Sequence, residues 1–343
     1  MITINQHNNG GNIVEKFLAL VVEEINGEIV FEIKQISEKE LSEGEVLIKS
    51  DYSSINYKDS LVVLKNGGVI RNYPMIPGID VSGEVVSSQS DQFQPKDKVI
   101  VTSYGLGVAH TGGFSEYVRV PASWVVSLPK QLSVKDAMII GTAGFTAALC
   151  VDGLEKHGLS ENKEAHILVT GASGGVASLG IAMLNKLGYK NITALTRKKE
   201  SAAVLEKLGA SNVLLLDEFI PEKIRPLGKQ EYDFVLDTVG GETLSAVLPL
   251  ISYGGSAAIC GNAGGINLKT TVLPFILRGI NLLGIDSVNT DMKKRLTIWN
   301  RLATDLNITE QALVAEISLG QAPEIFTSLQ KGQHIGRTII KFD

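Results

Sequence analysis

The chain has 343 residues, of which 44% are hydrophobic and 20% charged, with a formal net charge of -5. This length exceeds what one hydrophobic core usually serves, so we expect two domains. The negative net charge gives no sign of a basic surface for nucleic acid, so we expect no partner of that class. The two cysteines stand far apart without a CxxC motif, which favours a reducing compartment over a disulfide framework.

The first residues are rich in Asn and Gly and follow no period, so residues 1–15 are interpreted as a flexible N-terminal extension. They lack both the basic and the apolar stretch of a secretion signal. No uninterrupted apolar run reaches the length that spans a membrane. We therefore expect a cytoplasmic protein with no membrane partner.

From Phe17 to about Pro129, short β-branched or alternating runs are separated by turn sequences such as NG, SEGE and QPKD. This pattern predicts strands with little helix. After Ser133 strands and helices alternate, as in a doubly wound sheet. Its six predicted strands are HILVTG, NITALT, VLLLD, DFVLDTV, SAAICG and NLLGIDSV. The segments after Ser287, which end in the strand RTIIKF, could return to the first domain.

The turn VTGASGGVASLG follows the first of these six strands and begins a helix. Small residues at Gly171, Gly174 and Ala177 allow backbone N–H groups and the helix N-terminus to approach a pyrophosphate. A tight turn alone also favours glycine, but the surrounding strand, helix and alternation favour a dinucleotide. The predicted contacts are Ser173, Gly174, Gly175 and Val176.

The next strand ends in TRKK, with no acidic residue before Glu200. An acidic side chain there would bind the ribose of NAD, whereas arginine suits the 2′-phosphate of NADP. Thr196, Arg197 and Lys198 are therefore predicted to bind that phosphate, with NADPH as the cofactor. A solvated basic helix start is the alternative interpretation. A short-chain dehydrogenase is disfavoured because no tyrosine is followed by Lys at the fourth position.

Seven motifs occur in order along the chain: SSINYKDSL, YPMIPGIDVSGEV, GGFSEYVRVP, MIIGTAGFTAAL, VTGASGGVAS, DTVGGETL and PFILRGINLLGIDSV. Together they resemble the medium-chain dehydrogenase/reductase superfamily, and within it the zinc-independent bacterial quinone oxidoreductases of the acrylyl-CoA reductase type. The resemblance implies an α/β protein with a GroES-like β-barrel catalytic domain and a Rossmann domain whose parallel sheet has six strands. The implied barrel comprises residues 16–138 and 289–343, and the implied Rossmann NADP-binding domain comprises residues 139–288.

Zinc alcohol dehydrogenases hold their metal with thiolate and imidazole ligands. Here the corresponding segment reads PGID, which ends in Asp80, and neither cysteine stands at a ligand position. We therefore expect no metal.

A nicotinamide enzyme without a metal can reduce an activated C=C bond if its side chains polarise the conjugated carbonyl and support protonation. The resemblance implies active-site roles for Asn56, Asp59 and Asp80 and puts Tyr57 at the nicotinamide. Asn56 and Tyr57 could donate hydrogen bonds to a carbonyl, and both aspartates could belong to a proton network. Alternatively, Asn56 satisfies a turn, Tyr57 is a stacking platform and Asp59 caps a helix that starts at Ser60.

The further cofactor contacts that the resemblance implies are Asn262, Ile276, Ser287 and Arg337, the last toward a phosphate. Three functions stay open: NADPH-dependent reduction of acrylyl-CoA or a similar enoyl compound, reduction of a quinone at the same site, and non-catalytic NADPH binding. A strand NLLGIDSV at the sheet edge could pair with its copy across a two-fold axis, so we expect a homodimer.

Overall fold

The computed structural model describes residues 16–65, 67–70 and 72–343; the predicted extension over residues 1–15 lies outside the described residues. In chain order the strands are β1 (Phe17–Ile25), β2 (Glu28–Ile36), β3 (Val46–Ile55), β4 (Asp80–Ser88), β5 (Lys98–Thr102), β6 (Tyr117–Val120), β7 (Val126–Ser127), β8 (Ile167–Thr170), β9 (Ile192–Thr196), β10 (Asn212–Leu215), β11 (Tyr232–Asp237), β12 (Ile251–Ile259), β13 (Asn281–Gly284), β14 (Val314–Ile317) and β15 (Arg337–Lys341). The α-helices are α1 (Tyr57–Leu61), α2 (Val134–Glu155), α3 (Gly175–Lys186), α4 (Ala202–Leu208), α5 (Leu216–Phe219), α6 (Gly241–Val247), α7 (Leu273–Arg278), α8 (Met292–Ala303) and α9 (Ala322–Gln330).

The N-terminal third is the β layer that its sequence pattern predicts. β1 and β2 form an antiparallel hairpin, and a second sheet has the order β14-β15-β3-β4-β5-β7, with β6 also paired to β3. Alternate residues of these strands point inward, so that valines and isoleucines such as Ile48, Val81 and Val99 form a fully buried core. This sheet supports the start of α1, which directly follows β3.

The second layer is a parallel sheet with the order β10-β9-β8-β11-β12-β13. Numbered within the sheet, this is the 3-2-1-4-5-6 order of a dinucleotide-binding fold, and all six predicted strands are present. The strand order reverses between β8 and β11. Ligands of such sheets bind in the crevice at this reversal, beyond the carboxyl ends of the strands.

The C-terminal segment returns to the β layer. β15 pairs antiparallel with β3, and β14 pairs with β15. This pairing brings Arg337, the first residue of β15, close to the end of β3, where Asn56 follows.

The long helix α2 connects the two layers and crosses the predicted limit between residues 138 and 139. The domain limits stay predictions. Gly141 interrupts α2 with φ 50° and ψ -160°, a conformation that strongly favours glycine, and the helix is kinked there. By length and composition α2 alone among the described helices could cross a membrane, but most of it is buried within this protein.

Candidate active site

The loop from β3 into α1 contains three of the four residues for which we predicted catalytic roles. Asn56 has extended backbone angles and occupies the N-cap position of α1, and Tyr57 is the first helical residue. Asp59, at the third helical position, accepts hydrogen bonds from the backbone N–H groups of Asn56 at 2.7 Å and of Ile79 at 3.1 Å. The helix thus begins at Tyr57 and not at Ser60, and Asp59 lies inside it, where its carboxylate binds an N–H group at the helix start.

Asp59 is completely buried, and this environment changes its acidity. Burial raises the pKa of Asp59 to about 7, with the charge of Asp80 adding to the increase, although the backbone hydrogen bonds from Asn56 and Ile79 oppose it. The carboxyl group can therefore be protonated near neutral pH.

Asp80, the first residue of β4, is also completely buried and accepts four hydrogen bonds. Its Oδ2 atom accepts from Ser54 Oγ at 2.6 Å, Asn56 Nδ2 at 2.8 Å and the backbone N–H of Thr142 at 2.9 Å. Its Oδ1 atom accepts from the Thr142 hydroxyl at 2.6 Å. These donors satisfy the carboxylate within the protein, since a buried charge is tolerated only when it is well hydrogen-bonded.

Arg337 lies on the other side of Asn56 and is almost completely buried. Its Nη1 donates to Asn56 Oδ1 and to the carbonyl oxygen of Ile55, both at 3.1 Å, and its Nη2 donates to Ser54 Oγ at 2.8 Å. Its Nε donates to the carbonyl oxygen of Ile139 at 3.2 Å. The guanidinium therefore has four acceptors within the protein. The predicted phosphate contact of Arg337 stays a prediction that this geometry does not favour.

Tyr57 is the exception to this burial, because 42% of its surface is exposed. The next residue, Lys58, lines a cavity of about 450 Å³ together with Gly68, Val69, Asn72, Val108 and Ala109. Of the four residues that we predicted to be catalytic, Tyr57 is the one whose side chain is open to a ligand.

A second cavity, of about 570 Å³, lies at the carboxyl ends of β12 and β13. It is lined by Ile259, Cys260, Gly261, Asn262, Gly284, Ile285 and Asp286. Burial raises the pKa of Asp286. Hydrogen bonds from Asn289 and Val288 and the charge of Lys58 together lower it by more, so the net change in this pKa is downward.

The glycine turn has the predicted strand–turn–helix structure, with Gly174 as the N-cap of α3. A Cβ atom at position 175 would lie 3.2 Å from Cδ of Arg337 and 3.3 Å from the carbonyl oxygen of Gly336, so the backbones approach closely there. Ala177 is completely buried at the helix–strand contact, as expected for a packing position. Contacts of Ser173, Gly174, Gly175 and Val176 with a pyrophosphate stay predictions.

The basic residues at the end of β9 lie next to this turn. The buried Thr196 hydroxyl donates to Ser173 Oγ at 3.3 Å, whereas Arg197 is exposed. Lys198 donates to the carbonyl oxygen of His334. Burial and the charge of Arg197 lower the pKa of Lys198. In the described part of the chain neither Arg197 nor Lys198 has a carboxylate within ion-pair distance, so both can accept an anionic ligand.

The remaining predicted cofactor residues differ in their surroundings. Asn262 lines the larger cavity. The Ser287 hydroxyl accepts from Thr146 at 2.8 Å, and its carbonyl oxygen accepts from the buried Arg295 at 3.2 Å. Ile276 lies on α7 with 67% of its surface exposed. Its cofactor contact stays a prediction.

Sequence reasoning did not identify the two hydroxyl residues, Ser54 and Thr142, that bind Asp80. Ser54 belongs to the motif SSINYKDSL and Thr142 to the motif MIIGTAGFTAAL. Membership of these motifs is the one feature of the sequence that could have indicated a role at the site. Arg295, which holds Ser287, was also missed.

The described residues contain no group of three or more His, Cys, Asp or Glu side chains placed to hold a metal ion. Asp80, which stands where a zinc dehydrogenase has a ligand segment, has neither thiolate nor imidazole beside it, and both its oxygens accept protein hydrogen bonds. This donor set does not fit zinc.

Comparisons with known proteins agree with this architecture. The model of the alcohol dehydrogenase GroES-like domain matches residues 42–130, and the model of the zinc-binding dehydrogenase family matches residues 175–300. The chain therefore belongs to the medium-chain dehydrogenase/reductase family of oxidoreductases.

Within that family the chain is similar to bacterial quinone oxidoreductases and acrylyl-CoA reductases. YhfP of Bacillus subtilis, a provisionally named quinone oxidoreductase, is 45% identical over 95% of this chain and 98% of its own length. The acrylyl-CoA reductase AcuI of Ruegeria pomeroyi is 43% identical over 94% of this chain and 98% of its own length.

Two solved structures have the same fold with a nucleotide bound. YhdH of Escherichia coli with bound NADPH has a TM-score of 0.91 and 44% identity, and covers 95% of this chain and 100% of its own. YhfP of Bacillus subtilis with NAD bound has the same TM-score and identity, over 95% of this chain and 99% of its own.

Proposed function

We propose that the chain uses NADPH to reduce the activated C=C bond of an α,β-unsaturated carbonyl compound, with acrylyl-CoA as the first candidate substrate. The observation that carries the proposal is the close approach of the predicted catalytic residues to the glycine turn. The backbone N–H of Gly336 donates to the carbonyl oxygen of Ser173 at 3.0 Å, while the adjacent Arg337 binds Asn56.

The local chemistry supports NADPH as the cofactor. The start of α3 and its glycine turn offer backbone N–H groups to a pyrophosphate. Arg197 and Lys198 suit the additional phosphate of NADPH. When bound, NADPH would supply the hydride. One similar structure holds NADPH and another holds NAD, so the preference between the two cofactors has to be measured.

In this proposal Tyr57 contacts the ligands, with its ring toward the cofactor and its hydroxyl toward the substrate carbonyl. A hydrogen-bond donor at that oxygen stabilises the negative charge that develops when the C=C bond accepts a hydride. Asn56, Asp59 and Asp80 do not contact the substrate in this proposal but hold the start of α1 in place. Both aspartates are completely buried, and Asn56 is nearly so.

A quinone is the second candidate substrate, because one of the most similar relatives carries that name. The same cofactor and the same residues would serve a hydride transfer to a quinone. A non-catalytic NADPH-binding protein is the third possibility, which the presence of Asn56, Tyr57 and Asp80 makes the least favoured.

The test is to incubate the purified protein with NADPH and either acrylyl-CoA or benzoquinone and to identify the products by mass spectrometry. We expect stoichiometric propionyl-CoA and NADP with acrylyl-CoA. Turnover with benzoquinone alone would favour the quinone reductase, and NADPH binding without turnover of either compound would favour the non-catalytic protein.

We also propose that the protein is a cytoplasmic homodimer without nucleic-acid or membrane partners. β13 lies at the edge of its sheet, and the exposed apolar side chains of Val272, Ile276 and Leu277 lie shortly before it in the sequence. An unpaired edge beside an apolar surface favours association with a second copy.

A further inference from the structure

The geometry points to Arg337 as the positioning residue of this site. It donates to the Asn56 amide, its Nη2 lies 4.0 Å from Oδ2 of Asp80, and it links both residues to the glycine turn. The inference rests on the proposed function, which it deepens by assigning a role to a residue that we had predicted to bind a phosphate.

The neighbours of Asn56 fix the orientation of its side-chain amide. A guanidinium can only donate hydrogen bonds and an ionised carboxylate can only accept them. Asn56 lies between one of each, with Oδ1 3.1 Å from Nη1 of Arg337 and Nδ2 2.8 Å from Oδ2 of Asp80. The reversed amide would bring its NH₂ group against the guanidinium and its oxygen against the carboxylate. Arg337 and Asp80 together therefore permit a single orientation.

The fold provides space for the guanidinium group of Arg337 at Gly141. A Cβ atom at position 141 would lie 2.7 Å from Nη2 of Arg337 and 2.6 Å from Oγ of Ser54. The kink of α2 at Gly141 thus makes room for the arginine and leaves the Ile139 carbonyl oxygen to accept from its Nε. The side chain of Arg337, on β15, therefore contacts residues of both β3 and α2.

Arg337 also lies next to the glycine turn. Cδ of Arg337 would lie 3.2 Å from a Cβ atom at position 175, and the preceding N–H, of Gly336, binds Ser173. Tyr57 directly follows Asn56 in the chain. A displacement of Arg337 would therefore move both the glycine turn and the exposed tyrosine, and a misplacement of about 1 Å can cost about 100-fold in rate.

The charge of Arg337 also acts on the buried acids. Burial lowers the pKa of Arg337, while the charges of Asp80 and Asp59 raise it, and the net change is downward. Two other titratable groups lie in this region. Burial lowers the pKa of Arg295, with the charge of Asp80 among the smaller effects that oppose it, and burial together with the charges of Arg337 and Lys198 lowers the pKa of His334, before β15, to about 4. Loss of the Arg337 charge should raise the already elevated pKa of Asp59 further.

The experiment compares Arg337→Met and Arg337→Lys with the wild type, and Arg119→Met serves as the matched control. Arg119 also donates to a main-chain carbonyl oxygen, that of Glu38 at 3.4 Å, but it lies on β6, which pairs with the start of β3 and not with the end that precedes Asn56. The readouts are kcat, the dissociation constant of NADPH, the pH profile of kcat and rescue by methylguanidinium at a non-denaturing concentration.

We expect Arg337→Met to lower kcat about 100-fold, to move the pH profile upward and to regain part of its rate with methylguanidinium. Arg337→Lys should keep the pH profile but not the rate, because an ammonium cannot replace the planar fork. Arg119→Met should change neither the rate nor the pH profile. An unchanged kcat in Arg337→Met, or a loss with neither a pH shift nor rescue, would overturn the positioning role.

A second measurement needs no turnover and uses stability alone. Asn56→Ala, Arg337→Lys and the double variant are unfolded by denaturant, and the positioning role predicts a combined loss clearly smaller than the sum of the single losses. Additive losses would contradict it. If the wild type reduces neither test compound but the losses are non-additive, the proposed function fails while the coupling of Arg337 to Asn56 stands.

Discussion

Nδ2 of Asn56 lies 2.8 Å from Oδ2 of Asp80, while Oδ1 of the same amide accepts a hydrogen bond from Arg337. Both ends of the asparagine are thus bound within the protein, and its second N–H hydrogen is directed toward the Ser54 carbonyl oxygen, 3.4 Å away. This differs from the expectation that Asn56 donates to a substrate carbonyl. Tyr57, with 42% of its surface exposed, carries the hydroxyl group that we propose for that task.

Asn56→Ala should lower the free energy of unfolding, because it leaves two buried charged groups each without one partner. The expected loss is about 2 kcal/mol, the usual effect of removing a buried hydrogen bond to a charged group. Denaturant unfolding measures it, with Asn300→Ala on the exposed face of α8 as the control. Equal stabilities of the two variants would contradict the buried network.

Tyr57→Phe and Tyr57→Ala separate the two contributions of this side chain. Tyr57→Phe keeps the ring, so the dissociation constant of NADPH should change little, while kcat should fall at least about 10-fold with loss of the donor. Tyr57→Ala should weaken NADPH binding as well. A full kcat in Tyr57→Phe would mean that the hydroxyl does not act on the carbonyl.

Arg197→Ala tests the cofactor preference. Because Arg197 is exposed, its loss should leave stability unchanged. The dissociation constant of NADPH should rise about 10-fold or more, and that of NADH should stay the same, since only NADPH carries the additional phosphate. Lys207→Ala, an exposed lysine on α4, is the control. A similar effect on both nucleotides would argue against phosphate recognition at this position.

Asp59→Asn tests the raised pKa of this buried carboxyl group. The folded-state pKa of Asp59 is about 7, above its ordinary value of 3.8, so the folded protein holds this proton more tightly. Stability should therefore fall as the pH rises through this window. Asp59→Asn removes that dependence, so its deficit against the wild type should shrink by on the order of 2 kcal/mol between about pH 5 and pH 8.

The control for this experiment is Asp91→Asn, an exposed aspartate in the turn before β5. It should leave the dependence of stability on pH as in the wild type. A constant difference between Asp59→Asn and the wild type at every pH would show that Asp59 does not change its ionisation on folding.

The proposed dimer predicts a light-scattering mass of two protomers at micromolar concentration. Val272→Glu combined with Leu277→Glu should shift the mass toward one protomer, because two charges would be buried in an apolar contact. A wild-type mass of one protomer would contradict the dimer.

The alternation of strands and helices was sufficient to predict the parallel sheet, and the motif INYKDS predicted the loop that contains Asn56 and Tyr57. Both predictions rest on hydrophobic periodicity and turn sequences, which are local properties of the chain. The partners of these residues are not local, since Arg337 and Asn56 are separated by 281 positions and Thr142 and Asp80 by 62. Sequence reasoning therefore identified Arg337 but assigned it to a phosphate and not to an amide.

Burial was the second property that the sequence did not reveal. Asn56, Tyr57 and Asp59 stand within four consecutive positions, yet only Tyr57 is exposed. The turn into α1 directs their side chains differently, and this geometry depends on the packing of β3 against β15 and α2. The division between a ligand-facing tyrosine and supporting acids required the structure.

The proposed reduction is tested most directly with NADPH that carries deuterium at its transferable position. The protein is incubated with this cofactor and acrylyl-CoA, and the product is examined by mass spectrometry and NMR. Hydride addition to the β-carbon predicts propionyl-CoA with one deuterium at that carbon. Oxidation of NADPH without deuterium in the acyl group, or no oxidation under conditions where NADPH binds, would contradict it.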